Sequence, residues 1–242
     1  MIDALECRVL AAFRCVDAIS GGAVSSGLTV ISRLPTWQNR SSTYVIYETL
    51  RGDSRGGSLR FFDSSRPSSF EVSIKDASGR YLSRSANLPA RSASERIAAG
   101  GDPATLFNPQ SVMLFPSPSF PTSPDWAVIR VSARRNDGMA GLPWAVVQIS
   151  DSSTGAVLAT TMTDLRGEGL LAIPQLTAEA EAEVYVIVTG WFDSNSLNRY
   201  EPFLPDPDRV LNNLHLPAWK TSMQGARIVR GEVVNVKLLI NV

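Results

Sequence analysis

Twelve short runs rich in Val, Ile, Thr and aromatic residues, each closed by Gly, Ser, Asn or Asp, dominate this 242-residue chain. They fall into two groups: residues 7–16, 27–33, 43–50, 58–63, 69–75 and 80–86, then 126–134, 144–150, 156–163, 169–173, 183–192 and 232–241. Runs this short, bounded by turn formers, read as strands. No window of twelve or more residues keeps a capped i, i+3, i+4, i+7 apolar pattern, so helices have little place here. Alternation is clearest where Ala127, Ile129, Val131 and Ala133 oppose Val128, Arg130, Ser132 and Arg134. It recurs where Phe70, Val72 and Ile74 oppose Glu71, Ser73 and Lys75. Each such strand has one wet face, as antiparallel sandwich sheets require. The expectation is an all-β chain of two antiparallel, Ig-like β-sandwich domains.

Between the groups, residues 87–125 are rich in Ala, Ser, Gly and Pro and end in "LFPSPSFPTSPDW". Prolines cannot sit in a central strand but do form a stiff, extended connector. The expected organisation is therefore a sandwich at 1–90, a connector at 91–121, and a second sandwich at 122–242 with a long irregular loop at 201–231. The two sandwiches read as distant copies. Arg14 stands three before Asp17, followed by a Gly turn and a strand ending in Ser32; Arg134 stands three before Asp137, followed by a Gly turn and a strand ending in Ser150. Arg80-Tyr81 and Leu88-Pro89 recur in the same order as Arg199-Tyr200 and Leu204-Pro205. The spacing from Asp to Ser differs by two residues, which a turn absorbs.

The stretch "DSSTGAVLATTMTDLRGEGLLAIPQL" places turn chemistry at Thr154-Gly155 and at Thr163-Asp164 with Gly167. An Asp at the first position of such a turn accepts backbone N–H groups, and a Gly at its end takes the left-handed conformation. With Ile173-Pro174 these positions resemble the carboxypeptidase-regulatory-like, or transthyretin-like, β-sandwich domains. The resemblance covers about residues 126–190 and extends only loosely to the first domain, which carries "QNRSSTYVIYE" where the Thr-Asp-x-x-Gly turn would stand. Tandem domains of this kind with a Pro-rich connector look like proteins encoded with contractile phage tails and phage-tail-like injection systems. That likeness implies a structural or adaptor component of a multi-protein particle.

The composition narrows the chemistry. Lys plus Arg and Asp plus Glu number 23 each, so no long-range field draws in nucleic acid or an anionic membrane. No run approaches the roughly 18 apolar residues of a membrane-spanning helix. The N-terminal segment has acidic residues and Arg8 and Arg14 where a signal peptide needs a basic region and an unbroken apolar one. Cys7 and Cys15 lie eight apart on one strand, about 26 Å if it is continuous, too far for a disulfide. Cytoplasmic synthesis follows from these features. A single histidine, His215, leaves a zinc carboxypeptidase centre without the two histidines it needs, and no Gly-x-Ser-x-Gly elbow or P-loop is present. Asp164 and Glu168 are explained by their turn. No catalytic, cofactor-binding or metal residues are assigned, and no cofactor is expected. A Lys-to-Asn isopeptide bond of the surface-adhesin kind has Lys237 as its one candidate lysine, on the wrong strand.

Candidate interface residues come instead from apolar side chains among turn formers. They are Phe115 and Phe120 in the connector, Trp191 in "TGWFDSN", and Phe203, Leu204, Leu214, Leu216 and Trp219 in the 201–231 loop. A long apolar loop in a compact domain is often an interaction element. The expected partners are other protein subunits of an assembly, with room for a homo-oligomer within a symmetric particle. Stacking of exposed tryptophans on a glycan or receptor is the alternative function.

Overall fold

The computed structural model describes residues 5–51, 69–89, 109–174, 176, 183–194, 204–212 and 219–242, with side chains along the first strand described from Val9 onward. The first half contributes β1 (Leu5–Asp17), β2 (Leu28–Ser32), β3 (Thr36–Gln38), β4 (Thr43–Arg51), β5 (Ser69–Asp76), β6 (Arg84–Pro89) and β7 (Gln110–Leu114). The second contributes β8 (Ala127–Arg135), β9 (Val146–Asp151), β10 (Val157–Met162), β11 (Glu168–Ile173), β12 (Val184–Asp193), a one-turn helix α1 (Pro207–Leu211), β13 (Trp219–Ile228) and β14 (Val233–Ile240). The fold is all-β and built as sandwiches. The expected strand at 58–63 lies outside the described residues.

Both halves share one topology apart from the third strand. The sheet β3-β4-β1-β7 faces β2-β5-β6, and β11-β8-β14 faces β10-β9-β12-β13. In each half the first strand pairs antiparallel with the fourth and parallel with the seventh. The third strand differs: β3 joins β4, whereas β10 joins β9. Matching hairpins set the register between the copies. Cys15 O accepts from Val24 N as Ala133 O does from Leu142 N, and Asp17 N donates to Gly22 O as Arg135 N does to Ala140 O. Asp17 thus corresponds to Arg135, and the capping acid Asp137 stands two residues further along its turn. That displacement absorbs the spacing difference between the sequence repeats.

Two segments depart from the expected organisation. Residues 110–114, inside the supposed connector, form β7, the parallel neighbour of β1, with Val112 and Leu114 buried. The Pro-rich stretch after it is fastened to the first sandwich by Leu82 N to Phe115 O, Ser117 N to Arg80 O and a bridge between Tyr81 and Pro116. Likewise Trp219–Ile228, inside the expected loop, is an edge strand paired along its length with β12. Most of its side chains are exposed, so it carries little apolar alternation to read from sequence.

The cores divide unevenly. Ala127, Ile129, Val131, Val147, Ile149, Leu171, Val186, Val188 and Leu238 form the centre of the second sandwich. Val128, Leu170 and Ala172, which point the other way from β8 and β11, belong to the core of the first sandwich, with Phe13, Ile46, Leu114, Tyr81 and Phe120. The face of β8 read as wet is therefore buried at Val128. It is the docking face between the two halves.

Candidate interaction surfaces

Among the described residues, the junction between the sandwiches gathers a buried ion pair, packed aromatic rings and both cores at one place. Its donor is the end of the first sandwich where β7 finishes. There Phe115 is fully buried, and Phe120 lies 5.6 Å from the Tyr81 ring, with Arg80 stacked above Phe120. Its receiver is the outer face of β8 and β11, where Arg130 Nη1 also donates to Pro118 O at 2.8 Å. Each fully buried aliphatic side chain here contributes roughly 1.5–3 kcal/mol.

Arg84, the first residue of β6, is the polar centre of this junction and has no exposed surface. Its Nε donates to Ser85 O at 3.0 Å and its Nη1 to Met113 O at 2.7 Å. Nη2 pairs with Asp208 at 2.5 Å and Asp206 at 3.3 Å, so Asp208 is the closer counter-charge. The guanidinium also lies 5.9 Å from the Phe115 ring centre, within cation–π range. A buried guanidinium is tolerated only when paired and hydrogen-bonded on all sides, and here it is. The acids are held by α1: Asp206 caps it, accepting from Asp208 N, and Pro207 fills its first position. Burial pushes the Asp206 carboxyl above its ordinary value, although Arg84 pulls it down. Ser85 completes the seam, its N donating to Pro205 O and its Oγ to Leu204 O.

The sequence candidates distribute as follows. Phe115 and Phe120 are inside the protein's own packing and present no surface. Leu204 is half-buried and joins the seam through its carbonyl. Trp191 is half-buried on the outer side of β12, opposite Val146 and Thr221, and Trp219 is half-buried at the start of β13. Phe203, Leu214, Leu216 and His215 lie outside the described residues. Lys237 is exposed on β14 opposite Ser132. Among the described residues no three His, Cys, Asp or Glu side chains gather as metal ligands, and no helix is long and apolar enough to cross a membrane.

Sequence reasoning missed Arg84, Asp206 and Asp208, because no local pattern marks an ion pair between residues so far apart. It counted Trp37 among five tryptophans able to stack on a sugar but preferred Trp191 and Trp219 as the surface pair, and Trp37 is the most exposed of the five. Trp37 on β3 is 60 % exposed and stands opposite Val45, beside Ala12 of β1. Tyr47 and Val9, paired on β4 and β1, extend the same outer face. A second apolar patch, Tyr185, Ile187 and Met223, covers the outer side of β12 and β13.

No family model matches the chain, and no curated protein does. Among solved structures, the Bacillus anthracis TIE protein is similar at 9 % identity and a TM-score of 0.28, over 96 % of this chain and 34 % of that one. The chain thus spans about a third of the TIE protein's length. Two variants of the shaft pilin SpaA from Lactobacillus rhamnosus GG are similar at 9 % identity and a TM-score of 0.26, over 96 % of this chain and 97 % of theirs. Likeness at this level decides nothing about function. The all-β reading stands on the strands themselves.

Proposed function

We propose that this chain is a non-enzymatic structural or adaptor protein that works through protein–protein contacts in a multi-protein assembly, with a contractile phage-tail-like injection particle as its setting. The observation that carries this reading is the sealed junction. Leu170, Val128 and Ala172 sit in the neighbouring core, and Arg84 is buried against Asp206 and Asp208. Two sandwiches fused in this way form a rigid spacer rather than a pair of domains free to close on a substrate. Co-expression with the proteins encoded beside it tests the proposal. A stable complex with a sheath, tube or baseplate subunit supports it, and a chain that binds none of them counts against it.

A second reading as a glycan- or receptor-binding module draws on Trp37 and Tyr47, two aromatic rings on one outer face. A glycan array probed with the wild type and Trp37→Ala tests it. Loss of every hit in the variant is the supporting result.

A further inference from the structure

Asn39-Arg40-Ser41 is the one Asn-x-Ser/Thr triplet of the chain, and its middle residue is not Pro. Such a triplet is the acceptor sequence for N-glycosylation when it stands in a surface turn. Asn39 lies in the turn between β3 and β4, with Arg40 and Ser41 exposed. Its amide orientation is fixed. Oδ1 accepts from the N–H groups of Ser41 and Thr43, both at 2.9 Å, so Nδ2 points elsewhere. Ser41 Oγ donates to the same oxygen at 2.8 Å, which holds the hydroxyl beside the acceptor amide. Among the described residues Nδ2 donates to none.

Trp37 supplies the second part of the site. It precedes Asn39 by two residues, the period at which a strand returns a side chain to the same face. Gln38 between them turns away, its Nε2 donating to Ser25 O at 3.1 Å. The second sandwich shows the same turn without these parts. Asp164 Oδ1 accepts from the N–H groups of Arg166 and Glu168 as Asn39 Oδ1 does from those of Ser41 and Thr43. Met162 therefore stands where Trp37 does, and Arg166 where Ser41 does. Met162 is fully buried because β10 joins β9, whereas β3 joins β4 and leaves Trp37 60 % exposed. The second turn has neither an amide nitrogen nor a hydroxyl to offer. The first has both, beside an open ring whose electron-rich face suits the C–H-lined face of a pyranose.

We propose that Asn39 is an N-glycosylation acceptor and that the first attached sugar lies on the Trp37 ring. A glycosyltransferase of the cell joins Nδ2 to the anomeric carbon of an activated sugar, either a nucleotide sugar or a lipid-linked diphosphate sugar. The N–C bond forms as the C–O bond to the donor's phosphate breaks. The phosphate leaves with the bonding electron pair, and the Nδ2 proton passes to a base of the transferase. No oxidation state changes. Oδ1 takes no part, so the turn keeps its backbone hydrogen bonds after modification. The inference goes beyond the assembly reading and does not depend on it.

Glycopeptide mass spectrometry on the full chain, purified from the cells that naturally encode it, tests the proposal. The expected result is a sugar mass placed on Asn39 by electron-transfer fragmentation. Ser41→Ala made in the same cells is expected to lose the modification and Ser41→Thr to keep it, with far-UV circular dichroism confirming that both fold. Two expression arms separate the donors. One supplies a cytosolic asparagine glycosyltransferase with UDP-glucose, and the other a membrane oligosaccharyltransferase with a lipid-linked oligosaccharide after export. The modified wild type is expected to melt higher than the same chain from cells lacking both enzymes, and that gap is expected to close in Trp37→Ala. Native protein unmodified at Asn39, or modification indifferent to Ser41→Ala, overturns the acceptor. A melting gap that survives Trp37→Ala overturns the stack. An unmodified chain whose Trp37 fluorescence responds to free sugar assigns the ring to glycan capture and overturns the proposal. Binding of a particle subunit by an unmodified chain leaves the assembly reading standing while this inference falls.

Discussion

Asn39 and Asp164 occupy the same position in the two sandwiches and do the same work. Asn39 Oδ1 accepts from Ser41 N and Thr43 N, both at 2.9 Å, and Asp164 Oδ1 accepts from Arg166 N at 2.8 Å and Glu168 N at 2.9 Å. The residue closing each turn is left-handed: Ser42 at φ 59° and Gly167 at φ 80°. The first sandwich therefore keeps the turn that its sequence lacks in letters. A serine in this conformation costs about 1–2 kcal/mol, partly offset by the greater chain entropy a glycine would lose. Ser42→Gly is expected to stabilise the protein by roughly 0.5–1 kcal/mol, read as a higher denaturant midpoint with unchanged slope.

Gly167 has a second constraint. An added Cβ would approach Ala133 O, and one on Gly141 would approach Arg166 O, both well inside contact distance. Gly167→Ala and Gly141→Ala are each expected to cost about 2–4 kcal/mol, from overpacking against backbone and, at Gly167, from its positive φ. Gly225 on β13 meets nothing within 4 Å of an added Cβ. Gly225→Ala should change stability by no more than about 0.5 kcal/mol in the same urea titration.

Arg84 cannot be removed without stranding acids. Arg84→Leu is expected to cost about 3–5 kcal/mol, because Asp206 and Asp208 lose their partner and Met113 O loses its donor. Lys should not rescue it, since one ammonium cannot reproduce contacts made by three separate nitrogens. Calorimetry reads this together with cooperativity. The wild type should unfold in one transition, and Arg84→Leu should melt lower.

Cys15 on β1 is fully buried, its side chain in the core of the first sandwich, and burial pushes its thiol up to about 12, against a smaller pull from Arg84. It is neutral at physiological pH and closed to reagents. Alkylation with iodoacetamide at pH 8 followed by peptide mass mapping should leave Cys15 unmodified in the folded protein and modify it after denaturation. Modification at equal rates in both states would refute the burial.

Asp151 is held at about 2 by the Ser153 hydroxyl and the backbone N–H groups of Thr154 and Ser153. Its folded value lies below its ordinary 3.8, so its contribution to stability is complete above about pH 4 and is lost as pH falls towards 2. Melting temperatures of the wild type and Asp151→Asn should converge across that window, the wild type losing more.

The alternation of Phe70, Val72 and Ile74 and the turn at Asp164 to Gly167 were enough to declare a β-sandwich chain. The side-chain period of a strand and the φ demands of a turn are local properties. The repeat was legible too, though aligned on Asp17 and Asp137, which the hairpins set two residues apart. Local pattern could not show that Gln110–Leu114 leaves the Pro-rich stretch to pair with β1, because strand pairing is settled by a distant partner. Nor could it show that Trp219–Ile228 is an edge strand, whose side chains are mostly wet on both faces. The docking face was hidden for a related reason. Val128 alternates as a solvent-facing residue would, and only the packing of one sandwich on another turns that position into core. The amino-acid order determined the kind of strand, the kind of turn and the duplication. The tertiary structure decided which apolar faces are spent inside the chain, at Val128 and Leu170, and which remain open, at Trp37 and Val9. Burial is a property of what lies opposite, not of the residue itself.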